Sequence, residues 1–283
     1  MAAYAWVLNL DADLELARGT QGYMPSRAVL GAMKAQATRL AATLLGPEDI
    51  VAADGNARGF VGRAFCPTPR AIALLERAGA TIEPHPTMAV LRAVNGRAFC
   101  AALGQTLPGA RFCTSRDAIA DVLAASPPVG RGWRAKRSFG MAGRGQRRLD
   151  DAPTAADEAF FASALAEGGL QLEPNVRIVR ELGQHGLLAA DGRLALGVPV
   201  LQTCDALGQW VASAAAPEED HAATLASEAR RVASALHAAG YFGPFGVDAF
   251  VYEGAALNPR SEINARYSMG FALGFTSRSA PPR

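Results

Sequence analysis

The chain has 283 residues, half of them hydrophobic, and 28 Lys and Arg against 26 Asp and Glu, a formal net charge of +2. That length and apolar content bury a core of one or two domains and exclude disordered and collagen-like classes. The near-balanced charge gives no reason to expect a nucleic-acid partner. The longest apolar stretches are interrupted by Arg27, Lys34 and Arg39, so no membrane span and no membrane partner is expected. The start lacks a basic stretch and soon meets Asp11 and Asp13, which reads as a cytoplasmic protein without a secretory signal. Cys66, Cys100, Cys113 and Cys204 are scattered with no CxxC pair, as expected of reduced thiols.

In chain order, Ala5–Leu10 reads as a short strand and Pro25–Leu45 as a helix with apolar residues at helical spacing. Asp49–Ala53 is a second strand, closed by the turn Asp54-Gly55-Asn56. Thr68-Pro69 opens a helix, with Thr as cap and Pro in the first turn, and Gly79 ends it. This alternation predicts parallel βαβ units. A boundary falls near residue 112, after Leu107-Pro108-Gly109. Thr114–Asp117 starts a helix over Ala118–Ala125, and Asp157–Glu167 is another, stopped by Gly168-Gly169. Leu170–Val211 is β-rich, with turns at Asp191-Gly192 and Ala206-Leu-Gly208. A helix over Thr224–Ala239 precedes a strand, Gly246–Tyr252, a turn at Glu253-Gly254, and a last extended segment reaching Arg266.

Two stretches carry chemistry. Arg131, Arg134, Lys136, Arg137, Arg144, Arg147 and Arg148 are mixed with Gly132, Gly140, Gly143 and Gly145. Glycines let backbone amides surround an anion and cations add charge, so the pattern suits a phosphate cradle; a solvated basic loop has the same composition. Neither a P-loop nor a dinucleotide fingerprint is present. The chain has 26 Arg and only two Lys, Lys34 and Lys136, so a lysine at this spot suggests a role Arg does not fill. In the second stretch, an extended Ser261–Tyr267 puts Glu262, Asn264 and Arg266 on one face. Glu and Asn oxygens suit a hard divalent cation, and Asp248 on the preceding strand brings a third. The competing reading is a polar, solvent-facing strand laced by a Glu262–Arg266 pair.

Together these stretches resemble the ATP-grasp superfamily over roughly residues 113–270. The resemblance rests on Lys136 leading into Ser138–Gly145, the hinge-like Leu172-Glu-Pro-Asn-Val176, the β-rich segment after it, and Asp248 with Glu262-Ile-Asn264-Ala-Arg266, similar to the metal motif of biotin carboxylase-like members. It implies an α/β and α+β chain: an amino-terminal open α/β domain over 1–112 and an ATP-grasp domain over 113–283, with a lid at about 128–173 and a core at about 174–283. It implies that Lys136, Gly140, Gly143 and Gly145 close on ATP phosphates. Glu173 and Val176 would bound the adenine slot, and Glu181 would reach the ribose. Asp248, Glu262 and Asn264 would hold Mg²⁺ or Mn²⁺; of the two catalytic residues, Arg266 would steady the substrate carboxylate and Lys136 would hold the phosphates. The implied activity is that of an ADP-forming ligase joining a small-molecule or peptide carboxylate to an amine-type nucleophile through an acyl phosphate. Phosphotransfer to a non-carboxylate acceptor and non-catalytic binding of a nucleotide or RNA are the alternatives. Many members carry another Lys near the start of the grasp region, where this chain has Arg116. Elsewhere Cys66 is explained by the helix start beside it, His85 and His185 read as loop histidines, and Asn95-Gly-Arg97 reads as a turn or as a reach toward substrate.

Overall fold

A computed structural model describes residues 3–19, 22–141, 144–205 and 210–275. The first third contains β1 (Tyr4–Val7), α1 (Ala12–Arg18), α2 (Arg27–Leu44), β2 (Ile50–Val51), β3 (Val61–Ala64), α3 (Pro69–Ala78), α4 (Met88–Asn95) and α5 (Arg97–Ala102). β1 lies between β2 and β3 in a wholly parallel sheet. The Ser26 hydroxyl accepts from the Val29 amide at the start of α2. α3 has Pro69 in its first turn and Gly79 in the left-handed conformation at its end. β3 and α1 are two elements that the sequence pattern did not announce.

A second group follows: β4 (Arg111–Cys113), α6 (Arg116–Leu123), β5 (Trp133–Met141), β6 (Arg144–Leu149), α7 (Ala155–Ala166) and β7 (Leu170–Pro174). Its strands form an antiparallel sheet in the order β4-β7-β5-β6. Ser115, not Thr114, caps α6, and Thr154 with Asp157 forms a full capping box on α7. The expected glycine-rich loop is for the most part a hairpin: Ser138 to Met141 continue β5.

The last group is β8 (Ile178–Leu188), β9 (Leu194–Leu196), β10 (Val200–Cys204), β11 (Trp210–Ala215), α8 (Ala222–Ala238), β12 (Gly243–Tyr252), a 3₁₀ turn at Glu253–Ala255, β13 (Ala256–Asn264) and α9 (Phe271–Gly274). Its main sheet runs β11-β10-β8-β12-β13, all antiparallel, with β9 against β8. The expected turn at 206–208 lies outside the described residues.

The largest apolar cluster crosses this order. Trp6, Leu16, Leu40, Leu91 and Val94 pack with Val232, Leu236, Phe245, Val247, Ile263 and Phe271. The β4–β7 sheet has its own cluster, with Ile119, Trp133, Phe161, Leu170 and Leu172 at its centre. The two antiparallel sheets face each other across a cavity, and the carboxyl ends of β1 and β3 abut one end of it.

Candidate active site

The cavity measures about 320 Å³. β5 contributes Lys136 and Gly140; β7 and the link after it contribute Glu173 and Val176; β8 contributes Glu181. Asp248 comes from β12, Glu262 and Asn264 from β13, and Arg266 from the segment after it. Residues drawn from five stretches of sequence thus meet in one space. Gly145 stands outside the wall, its α-carbon backed by Arg137 and the Phe139 carbonyl. Gly143 lies outside the described residues.

Lys136 sits mid-strand and pairs through its Nζ with Glu173 Oε1, both side chains largely buried. Glu173 therefore faces the lysine rather than standing free at an adenine slot, because β5 and β7 are neighbours and place the two side chains on the same face. Arg134 joins them, donating to Asn175 Oδ1 at 2.9 Å and Gln146 Oε1 at 3.2 Å. Pro174, Val176, Leu182, Ala249 and Phe250 form an apolar wall suited to a flat base. Glu181 lies beyond it and accepts from the Cys204 thiol at 2.7 Å. Burial and that carboxylate push the thiol's pKa up.

Asp248 and Glu262 are directly opposite one another on β12 and β13. Burial, and next the charge of Glu262, push the Asp248 carboxyl up to about 6. Asn264 Nδ2 donates to Asp248 Oδ2 at 2.8 Å, and Gln202 Nε2 to its Oδ1 at 3.2 Å. Two facing carboxylates that repel each other, beside an amide, fit a hard divalent cation. Among the described residues no third His, Cys, Asp or Glu joins them. An ion held here would need oxygens from another source, as phosphates supply.

Glu262 does not pair with Arg266. Its Oε2 accepts from Arg97 Nη2 at 2.9 Å, and Arg97 also donates to the Arg137 carbonyl at 3.1 Å. Neutralising Glu262 would strand the guanidinium of Arg97, which is only 9% exposed. The expected common face of Glu262, Asn264 and Arg266 ends at Asn264. The Ala265 amide donates to Asn95 Oδ1 and the Tyr267 amide to the Phe65 carbonyl, so the chain leaves the ladder and is tied to the amino-terminal part. Arg266 then meets Asp13 of α1 at 2.8 Å and stacks over Phe65.

Arg116 is not in the cavity. It pairs with Glu158 of α7 and lies over Phe161, bracing α6 against α7. His185 is not a loop residue either. It lies within β8, fully buried, because its register partner Gly246, with Gly183, Gly270 and Gly274, leaves room for the ring. Burial holds its pKa down at about 4. Asp13, Gln202 and Cys204 were missed as wall residues; Arg134 lies in the basic stretch and Arg97 in the Asn95-Gly-Arg97 segment that the sequence singled out.

A cavity between two antiparallel sheets, with a pair of facing carboxylates on its wall, is the layout of the ATP-grasp fold, and the chain has this fold. Solved structures agree. N5-carboxyaminoimidazole synthetase from Staphylococcus aureus, complexed with ADP, is 15% identical, with a TM-score of 0.54 over 94% of this chain and 71% of its own. A biotin carboxylase β-γ-ATP complex from Campylobacter jejuni is 14% identical, with a TM-score of 0.56 over 98% of this chain and 67% of its own. N5-carboxyaminoimidazole ribonucleotide synthetase from Thermus thermophilus is 20% identical, with a TM-score of 0.51 over 95% of this chain and 72% of its own. No protein-family model and no curated protein matches the chain. No helix among the described residues is long and apolar enough to cross a membrane.

Proposed function

We propose that this protein is an ATP-dependent, ADP-forming ligase that activates a carboxylate as an acyl phosphate for attack by an amine-type nucleophile. One observation carries the reading: a single cavity is lined by Lys136, the Asp248–Glu262 pair with Asn264, and Arg266. The S. aureus neighbour's ADP and the C. jejuni neighbour's nucleotide support ATP as the ligand. On this reading residues 1–112 present the substrate, 113–283 hold the nucleotide, and about 128–173 form the lid over a core at about 174–283.

The substrate carboxylate oxygen attacks the γ-phosphorus, and the bond to the bridging oxygen breaks, releasing ADP. The nucleophile's nitrogen then attacks the acyl carbon, the C–O bond to phosphate breaks, and the nitrogen gives up a proton. Lys136 and Arg134 hold phosphate oxygens as they gain charge, and Arg266 keeps the carboxylate in line. Asp248, Glu262 and Asn264 would hold Mg²⁺ or Mn²⁺, which would neutralise charge between phosphates.

The test is product analysis with carboxylates and hydroxylamine as the nucleophile. ADP, orthophosphate and a hydroxamate are expected. AMP with pyrophosphate would sink the acyl-phosphate mechanism, and ADP with a stable phosphorylated product would make the protein a phosphotransferase.

A further inference from the structure

In open parallel sheets ligands bind outside the carboxyl ends of the strands, where the strand order reverses. Here the order β2-β1-β3 puts that point between β1 and β3. Leu10, Asp13 and Phe65, which follow those two strands, all line the cavity there.

The amides that would take a phosphate at this point are already used. Glu15 Oε1 accepts from the Arg70 amide in the first turn of α3 at 3.0 Å, and its Oε2 from the Thr68 hydroxyl at 2.7 Å. Asn9 ties down Cys66, donating to its carbonyl at 2.8 Å and accepting from its amide at 3.1 Å. Arg70 is taken by Asp11 at 2.7 Å and lies 3.6 Å from Glu15. Three buried carboxylates, Asp11, Asp13 and Glu15, thus share two guanidinium groups, Arg70 and Arg266, leaving one negative charge over.

The Asp13–Arg266 pair is the part of this network that faces the cavity, and it spans two segments far apart in sequence. In the same cavity Ser268 is 9% exposed, and its hydroxyl has no hydrogen-bond partner among the described residues. A buried hydroxyl without a partner costs free energy that a polar ligand recovers. Leu10, Phe65 and Met269 complete the wall with apolar surface.

We propose that the carboxylate substrate is an α-amino acid, bound as a zwitterion by opening the Asp13–Arg266 pair: the ammonium on Asp13, the carboxylate on the Arg266 fork. This rests on the ligase reading above. One ion pair becomes two with no change in the net charge of the network, and Ser268 gains a partner. The ammonium does not react; the carboxylate is the group phosphorylated.

The experiment offers the native protein MgATP, hydroxylamine and the common L-α-amino acids with D-alanine, each beside its N-acetyl derivative. At least one free amino acid should drive ADP and hydroxamate formation, with kcat/KM at least 100-fold above its N-acetyl derivative. Asp13→Asn should lower the ratio of kcat/KM for that amino acid to kcat/KM for its N-acetyl derivative at least tenfold, a change of discrimination that loss of folding would not produce. Equal use of free and N-acetyl forms overturns the inference. So does ADP formation with simple carboxylates but with no amino acid, an outcome that leaves the ligase reading standing. No ADP with any carboxylate overturns both.

Discussion

Lys136 and Glu173 form a buried pair in which the lysine is the mobile partner, since its charge sits on a flexible four-carbon stem. ATP phosphates and Glu173 would share that charge. Lys136→Ala removes it and leaves Glu173 unpaired, so ATP affinity should fall at least tenfold, about 1.4 kcal/mol or more. Calorimetric titration with a non-hydrolysable analogue reads this directly; unchanged affinity in a folded variant would remove β5 from the nucleotide site. His185 makes a different demand. Unfolded, its imidazole takes a proton near pH 6.5; folded, burial prevents this until about pH 4. Its effect on stability is therefore absent above pH 6.5, and stability is lost as pH falls from 6.5 towards 4, by a total on the order of 3 kcal/mol. Urea unfolding at pH 7.5 and pH 4.5 should show the loss, and His185→Leu should remove most of the difference between the two.

Helix ends were the most legible elements. Thr68-Pro69 and Gly79 bound α3 where the sequence places them, because each residue type has one conformational job there. α1 was missed because Asp11, Asp13 and Glu15 look like a polar loop; their carboxylates are instead turned to Arg70 and Arg266, partners supplied only by the tertiary fold. The second half of β5 was expected to be a loop because glycine suggests one, whereas Gly140 lies within the strand. The meeting of Asp248, Glu262 and Asn264 with Lys136 in one cavity was legible through spacing and order. Asp13 as a wall residue was not, since it reaches the cavity from an element remote in sequence. The α6–α7 layer sets a contrast. Thr154→Ala breaks a capping box whose Asp157 also holds Arg147 at 2.6 Å, and should cost about 1 kcal/mol. Arg116→Ala cuts an exposed pair and should cost less. Neither should move nucleotide affinity more than twofold, and a larger effect of Arg116→Ala would return that residue to the phosphate site.

At the scale of the whole molecule, packing groups the chain differently from its order. The largest cluster joins Trp6, Leu91 and Val94 to Phe245, Val247 and Phe271, so the first third and the last third share one core. The β4–β7 sheet has a separate cluster drawn wholly from residues between 113 and 172. Elements that share a core open together, and one whose core is its own can open alone. The β4–β7 sheet should therefore exchange its amide hydrogens through an opening of lower free energy than β8, β12 and β13. β1, although at the far end of the sequence, should exchange with β12. Nucleotide binding would tie Lys136 and Val176 to Asp248 and Phe250 across the cavity, so MgATP analogue should slow exchange in β5 and β7 more than in β1. Native-state hydrogen exchange with peptide resolution measures both statements. The protection of β1 should follow that of β12 as denaturant is raised. If β1 instead exchanges independently of β12, the shared core does not unite the ends of the chain. Equal slowing of all strands by nucleotide would mean that the β4–β7 sheet is no separate lid.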